Sequence, residues 1–233
     1  MQAIILAGGK GSRLKPFTKV IPKPLVPIGD LPILEVVLRQ LKTSGFKDVV
    51  ITVNHLAELI MAFFGNGEKL GLNIDYSLEE TPLGTAGPLS LIKEYDDNFL
   101  VMNGDLLTTL DYKKMMEWHK KEKNDITIAC YNKKVKIDLG VIKRDGDNFT
   151  DYIEKPTYDF DVSMGIYIFD KEVMKIIKEA EILDMPDLVL RAKGIKKQIK
   201  CYIQDCIWLD IGRAEDYENA VQMFEEKKAE FLK

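Results

Sequence analysis

Residues 2–14, QAIILAGGKGSRL, decide the fold, because a short apolar run there ends in a glycine-rich turn. Two later apolar runs, residues 48–54 and 98–103, have a similar length and character. Runs of this kind are typical of strands that a parallel sheet buries on both faces. Helical patterns separate the three runs, at residues 33–43, 56–64 and 86–95. This alternation predicts βαβ crossovers and an α/β fold with a doubly wound sheet.

The second half of the chain is richer in strand patterns. A helix is predicted at residues 112–121 and a strand at residues 125–131. Three β-like runs follow with little helix between them, and Asp145-Gly146-Asp147 provides residues typical of a hairpin turn. We expect a closing helix at residues 215–231. We also expect a small antiparallel insertion over one end of the sheet, formed by residues 140–144, 149–154 and 162–169.

The composition excludes several classes of function. The 233 residues carry a net charge of −4 with both signs well mixed, so no basic face indicates a nucleic acid partner. No stretch approaches the roughly 18 apolar residues that a membrane span needs. The first apolar run is too short for a signal peptide. The three cysteines are odd in number and lack metal-ligand spacing, which favours a reducing, cytoplasmic location.

The glycine-rich turn does not fit the common phosphate-binding fingerprints. The dinucleotide motif G-x-G-x-x-G would need a glycine where Leu14 stands, and the P-loop spacing is absent. Proline lacks a backbone donor and restrains the residue before it, so a regular helix cannot follow the turn. The prolines concerned are Pro16, Pro22, Pro24 and Pro27.

A stiff, extended loop that carries Arg13 and Lys23 is therefore expected after the first strand. Its glycines would let backbone amides approach phosphate oxygens, and the two cations would stabilise charge that develops during phosphoryl chemistry. The alternative is an ordinary surface loop rich in glycine and proline, with solvated cations. The density of these features favours the phosphate-binding interpretation.

Three segments together resemble the signature of the sugar-1-phosphate nucleotidyltransferases, also called nucleotide-diphospho-sugar pyrophosphorylases. The segments are residues 8–18 (GGKGSRLKPFT), 22–25 (PKPL) and 32–35 (PILE). The resemblance extends from Met1 to about Tyr217 and implies a Rossmann-like α/β fold. It implies one domain over residues 1–233: a nucleotide-binding half to about residue 110, a sugar-phosphate half to about 213, and a C-terminal helix.

The activity that this resemblance implies is metal-dependent transfer of a nucleotidyl group from a nucleoside triphosphate to a sugar 1-phosphate, with release of pyrophosphate. The loop at residues 82–87 (PLGTAG) looks most like that of guanylyltransferases for mannose- or heptose-type 1-phosphates. Uridylyl or thymidylyl transfer to a glucose-type 1-phosphate is the alternative. An alternative of another class is a non-catalytic subunit that binds nucleotide-sugar. The chain length leaves no room for the β-helix of bifunctional acetyltransferases, and we leave open whether it forms a homo-oligomer.

Two aspartates are candidate metal ligands. Asp105 follows the buried run at residues 98–103, and a carboxylate at the carboxyl end of a strand faces the ligand crevice. Asp210 also follows an apolar segment. Alternatively, Asp105 caps a turn and Asp210 caps the terminal helix. The resemblance implies that both hold a catalytic Mg²⁺ or Mn²⁺.

The resemblance also implies a set of nucleotide-binding residues. Arg13 and Lys23 would bind the triphosphate and stabilise charge during transfer, and Gly84 would lie beside the base. From the residues alone, Thr85 can also be the N-cap of a helix. The full expected set is Leu6, Ala7, Gly8, Gly9, Gly11, Ser12, Arg13, Lys23, Glu80, Gly84 and Thr85.

The sugar phosphate is expected to bind on a different side of the site from the nucleotide. The resemblance implies that Glu154 accepts hydrogen bonds from sugar hydroxyls, while Lys155 orients the attacking phosphate. Ser163 stands where many relatives have asparagine, so the usual hydrogen bond to the sugar is altered there. The expected sugar-phosphate set is Asn103, Gly140, Glu154, Lys155 and Ser163. The expected catalytic set is Arg13, Lys23, Asp105 and Lys155.

Overall fold

A computed structural model describes residues 1–9, 11, 14 and 17–232, without the side chain of Phe17. Five α-helices lie in these ranges: α1 (Ile33–Thr43), α2 (Ala57–Phe64), α3 (Tyr112–Glu122), α4 (Met185–Gly194) and α5 (Ala214–Phe231). The strands there are β1 (Gln2–Leu6), β2 (Pro27–Ile28), β3 (Leu31–Pro32), β4 (Asp48–Val53), β5 (Asn73–Leu78), β6 (Asn98–Asn103), β7 (Leu106–Thr108), β8 (Ile126–Lys136), β9 (Val141–Asp145), β10 (Asn148–Ile153), β11 (Thr157–Asp170), β12 (Ile199–Ile203) and β13 (Trp208–Asp210).

The central sheet confirms the expected α/β class. Seven strands pair in the order β12-β8-β11-β6-β1-β4-β5. β1 lies between two parallel neighbours, β4 and β6, and all but β11 share one direction. The three apolar runs that we assigned to strands are therefore adjacent in the middle of the sheet, where both faces are covered.

Helical segments cover both faces of this sheet, as a doubly wound fold requires. Ala3 and Ile5 of β1 pack on one face with α1, α2 and α3, whereas Ile4 faces the other side with α4. Successive side chains of a strand point to opposite faces, so an unbroken apolar run fills both layers. A third cluster joins α5 to the segment after the glycine loop, with Phe224 fully buried beside it.

The antiparallel insertion is smaller than expected. Only β9 and β10 form a separate hairpin, closed at Gly146 with a φ of 57°. The third predicted run belongs to β11, which enters the central sheet between β8 and β6. The outer halves of β8 and β11 continue as an exposed ribbon, and their pairing is interrupted between Ser163 and Tyr167.

The predicted helix at residues 86–95 is wrong. Only a 3-10 turn, Gly87–Leu91, forms there, and Ile92 returns to extended backbone. The side chain of Gln2 accounts for part of this difference. Its amide donates to the Glu94 carbonyl and accepts from the Asp96 amide, at 3.1 and 3.0 Å. These bonds fix residues 94–96 against β1 in a conformation that a helix could not adopt.

The described ranges contain no helix that is both long and apolar enough to cross a membrane.

A buried histidine makes the stability of this fold dependent on pH. His119 of α3 is 1% exposed, and its Nδ1 lies 2.7 Å from the hydroxyl of Thr127. Its Nε2 has no hydrogen-bond partner among the described residues. Burial lowers the pKa of His119 from 6.5 to about 4 because the charged imidazolium loses hydration.

We expect the neutral His119 to stabilise the fold fully above about pH 6.5 and to cost stability as the pH falls towards 4, because the unfolded chain then binds the extra proton. A His119→Gln variant should therefore show a shallower dependence of the free energy of unfolding on pH in this window. The slopes should differ by up to about 1.4 kcal/mol per pH unit, the value for one proton. Urea unfolding at several pH values measures this, and equal slopes would refute the assignment.

Candidate active site

A cleft of about 480 Å³ opens at the carboxyl ends of β1, β4 and β6. Strand register places Leu6 opposite both Thr52 and Asn103, so these three residues form a row across the floor of the cleft. This edge of an open α/β sheet is the usual site for ligands. Several predicted site residues line the cleft, namely Leu6, Ala7, Gly8, Gly9, Gly11, Lys23, Gly84, Thr85, Asn103 and Asp105.

The glycine loop is shaped in part by a carboxylate. A Cβ added to Gly8 would lie 2.5 Å from Oε1 of Glu79, whereas a Cβ on Gly9 would meet nothing within 4 Å. The absence of a side chain at Gly8 therefore makes room for the Glu79 carboxylate as well as for any ligand. The carbonyl of Gly11 accepts from the hydroxyl of Thr18 at 2.7 Å, which ties the loop to the segment that follows it.

Lys23 and Asp105 form an ion pair at one end of the cleft. Lys23 begins a short 3-10 turn after Pro22 and is 9% exposed. Its ammonium group contacts Oδ2 of Asp105. The other carboxylate oxygen, Oδ1, is buried and has no hydrogen-bond partner among the described residues. This geometry does not match a turn cap, because the Asp105 carboxylate faces a lysine and leaves one oxygen unused.

The segment that carries Asp210, the second predicted metal ligand, lies next to the segment of Asp105. β7 and β13 form an antiparallel pair that starts immediately after Asp105 and ends at Asp210. The Ile211 amide then donates to the Asp105 carbonyl at 3.3 Å. Asp210 does not cap the terminal helix, because the N-cap of α5 is Arg213. The two segments that carry the predicted metal ligands thus lie side by side in the fold.

The loop after β5 closes the opposite end of the cleft. Oε2 of Glu79 accepts from the Leu83 amide at 3.2 Å, and burial raises the pKa of Glu79. Gly84 has a φ of 82°, and any side chain there would collide with the carbonyl of Leu183. The Thr85 hydroxyl accepts from the Met185 amide at 2.7 Å. Thr85 therefore caps α4, not the helix that we expected to follow it.

Glu79 is a site residue that the sequence analysis missed. It is 6% exposed and lines the cleft, whereas the predicted Glu80 is exposed and does not line it. Glu79 follows β5 directly, and that strand was not predicted. Recognising the pattern NIDYSL at residues 73–78 as a strand would have placed Glu79 at a carboxyl end, where ligands bind.

A second cleft of about 450 Å³ adjoins the first, and Gly212 lines both. The rings of Tyr131 and Trp208 form an aromatic pair in its wall, with centroids 5.4 Å apart. Asp210 lines this cleft, whereas Asp105 lines the first one. The other residues around the second cleft are mostly polar or charged: Lys133, Leu209, Arg213, Asp216 and Asn219.

The predicted sugar-phosphate residues do not all line the clefts. Asn103 lines the first cleft, but Gly140, Glu154 and Lys155 line neither cleft. A Cβ on Gly140 would overlap the hydroxyl of Tyr152, so the absence of a side chain there makes room for the Tyr152 ring. The Ser163 hydroxyl lies 2.9 Å from that of Tyr167, at the interruption in β11.

Lys155 has the left-handed backbone conformation, with a φ of 44°. Non-glycine residues rarely adopt it except where the surrounding structure imposes it, and such positions cluster at functional sites.

The predicted Ser12 and Arg13 lie outside the described residues.

Comparison with known proteins agrees with this geometry. A family model described as nucleotidyl transferase matches residues 2–227. A UTP–glucose-1-phosphate uridylyltransferase of Synechocystis is 34% identical over 95% of this chain and 63% of its own length. The D-glycero-alpha-D-manno-heptose 1-phosphate guanylyltransferase of Aneurinibacillus thermoaerophilus is 31% identical over 94% of this chain and 96% of its own. The structure of HddC from Yersinia pseudotuberculosis complexed with GMP-PN superposes with a TM-score of 0.73, at 26% identity, over 96% of this chain and 99% of that one.

The chain spans less than two thirds of the length of the first curated relatives that it matches, the uridylyltransferase and several mannose-1-phosphate guanylyltransferases.

Two adjacent glycines allow a matched test of the loop. We expect Gly8→Ala to destabilise the protein by about 1 kcal/mol, at the low end of the cost of overpacking, because the added methyl group would lie 2.5 Å from Oε1 of Glu79 and the end of that side chain must move. Gly9→Ala should stay within about 0.5 kcal/mol of the parent, as for a surface substitution without contacts. Urea unfolding measures both. Equal effects of the two substitutions would show that Glu79 does not constrain the loop.

Proposed function

Because the chain belongs to the nucleotidyl transferase family, we propose that it transfers a nucleotidyl group from a nucleoside triphosphate, GTP, to a sugar 1-phosphate, and releases pyrophosphate. One observation carries this proposal: Gly212 lines both clefts, and the segment of Asp105 in the first cleft is hydrogen-bonded to the segment that follows Asp210 in the second. A donor nucleotide in the first cleft and an acceptor in the second would bring their reacting groups together where the clefts adjoin. Holding two reactants in this way supplies a large part of the rate of a transfer reaction.

The carboxylates suit the divalent metal that members of this family generally use. Mg²⁺ prefers oxygen ligands and commonly takes one or two carboxylates, with phosphate and water completing its shell. The unpaired Oδ1 of Asp105 is a buried oxygen of the required kind. Asp105 and Asp210 would hold the ion, and the bound ion would neutralise charge on the triphosphate oxygens.

The reaction needs little proton chemistry from the protein. A phosphate monoester is already anionic near neutral pH, so the sugar phosphate can attack the α-phosphorus without a general base. Alignment and electrostatic stabilisation then account for catalysis. Lys23 lies next to Asp105 and would neutralise the departing pyrophosphate. We assign the same role to Arg13 from the sequence motif.

The base end of the cleft favours guanine. Guanine presents two neighbouring donors, N1–H and the N2 amino group, and a carboxylate such as Glu79 can accept from both. Uracil and thymine present one N–H between two carbonyl oxygens, so a carboxylate would face at least one oxygen that repels it. This difference distinguishes guanylyl transfer from the uridylyl or thymidylyl alternative.

The second cleft suits the sugar. The aromatic side chains of Tyr131 and Trp208 offer apolar surface to the C–H faces of a pyranose. Polar groups of Lys133 and Asn219 surround this surface and can bond hydroxyls. We place the sugar of a mannose- or heptose-type 1-phosphate in this cleft. Glu154 and Lys155, which line neither cleft, remain candidates from the motif alone.

A non-catalytic subunit that binds nucleotide-sugar is the rival function. Such a protein needs pockets for the base and the sugar, but it has no need of a paired lysine and carboxylate in the first pocket and a further aspartate in the second. Pyrophosphate release distinguishes the two functions directly.

We expect pyrophosphate release when the protein is mixed with Mg²⁺, GTP and mannose- or heptose-type 1-phosphates, tested in a panel of triphosphates and sugar 1-phosphates. Asp105→Asn or Asp210→Asn should lower the rate by at least about 100-fold, because each removes a major electrostatic stabiliser. Asp205→Asn is the matched control, since Asp205 is exposed and lines neither cleft. No release in any combination would contradict the proposed activity, and unchanged rates in both aspartate variants would contradict the metal site.

Base choice should depend on Glu79. Glu79→Gln replaces a double acceptor with one acceptor and one donor, so kcat/KM for GTP should fall about 10- to 100-fold. The value for UTP should rise, because the amide donor can bond the uracil oxygen that the carboxylate repels. Glu80→Gln, in the adjacent exposed residue, should leave the ranking of triphosphates unchanged. If Glu80→Gln alters the ranking and Glu79→Gln does not, the base is recognised by the residue that we first named from the motif.

A further inference from the structure

The cleft contains a buried hydroxyl group that no contact explains. Thr52, near the carboxyl end of β4, lines the cleft and is only 1% exposed. Within the described part of the chain, its Oγ1 has no hydrogen-bond partner. A buried polar atom without a partner costs stability, so native proteins rarely retain one unless something outside the free chain satisfies it.

The position of Thr52 connects this hydroxyl to the base end of the cleft. Thr52 is aligned with Leu6 on one side and with Ser77 on the other. The chain leaves β5 two residues after Ser77, at Glu79, whose amide is bonded to the Val53 carbonyl. Thr52 and Glu79 thus lie on neighbouring strands at the same edge, and both line the cleft.

We propose that Thr52 determines base specificity by donating a hydrogen bond from its hydroxyl to the oxo group of the bound base. The proposal rests on the nucleotidyl transfer described under Proposed function and adds a second base-recognising residue to it. Guanine presents an oxo acceptor beside its two donors. A hydroxyl donor and a carboxylate acceptor together therefore match that edge of the base, whereas adenine and cytosine place an amino group where guanine has the oxo group.

The effect of removing the hydroxyl on the stability of the protein distinguishes this role from a structural one. Valine has nearly the shape of threonine without the hydroxyl, so Thr52→Val removes the unpaired group and leaves the packing intact. Replacing an unsatisfied buried hydroxyl with an apolar group of the same shape is neutral or stabilising. If the hydroxyl only stabilised the fold, its removal would instead lower the stability of the protein.

The contact can be tested by measuring the equilibrium binding of triphosphates that differ in the base. No sugar phosphate is added, so no turnover occurs. GTP and ITP both carry the 6-oxo group, and 2-aminopurine riboside triphosphate lacks it. Thr52→Val should weaken the binding of GTP and ITP by about 5- to 30-fold, in line with loss of one buried hydrogen bond, and should change the binding of the 2-aminopurine nucleotide by less than about 2-fold. Thr52→Ser keeps the hydroxyl and should retain most of the preference for GTP.

Thermal unfolding of the free protein provides the second readout. Thr52→Val should keep or raise the Tm. The control is Thr127→Val, which removes another buried strand hydroxyl that is bonded to His119 and Asn124. This control should lower the Tm and leave the three dissociation constants in their original ratio.

Two results would overturn the role of Thr52. One is an equal loss of affinity for all three nucleotides, which indicates a general effect on the cleft. The other is unchanged affinity for GTP and ITP. Either result can arise in a protein that still releases pyrophosphate from GTP, so it would leave the proposed activity standing. Absence of triphosphate binding in the unmodified protein would instead refute the proposed activity itself.

Discussion

The register of β1 with its two parallel neighbours is the constraint on which the site depends. It sets Leu6 level with Thr52 and Asn103, so the segments that leave these strands emerge at one edge of the sheet. A shift of one residue in either pairing would turn alternate side chains to the other face and remove both the floor of the cleft and the packing beneath it. The same apolar residues thus specify the core and the position of the ligand.

Loops supply the chemistry at this edge, and short polar contacts fix each loop to the rigid sheet. Thr18 holds the glycine loop through the Gly11 carbonyl, and Thr85 fastens the base-side loop to the start of α4. The β7–β13 pair places the segment of Asp210 beside that of Asp105. The contacts of Thr85 with Met185 and of Asp105 with Ile211 join segments that are far apart in sequence, so the site forms only when the whole fold forms. This pre-organisation is what a reaction that relies on alignment and electrostatics requires.

Sequence patterns predicted the parts of the molecule with strong periodicity. The runs that became β1, β4 and β6 and the helices α1 and α3 were located closely, because burial on both faces or on one helical stripe leaves a clear pattern. The strand β5 and the helix α4 were missed, since their polar residues blur that pattern. Because β5 was missed, the position of Glu79 at the cleft was not recognised. The predicted helix at residues 86–95 forms only a short turn, and a tertiary hydrogen bond made by Gln2 holds the residues that follow it. The role of Thr85 as a cap of α4 could not be foreseen without the tertiary structure.

Under the proposed function, GTP would lie along the first cleft, with its base at Glu79 and its phosphates and metal at Asp105. A crystal structure of the protein with GTP and Mn²⁺, with the ion located by its anomalous scattering, tests this placement most directly. We expect the Mn²⁺ peak in contact with the carboxylates of Asp105 and Asp210, and the guanine edge within hydrogen-bond distance of Glu79. A Mn²⁺ peak away from both aspartates, or a guanine bound against Trp208 in the second cleft, would contradict the assignment of the two clefts.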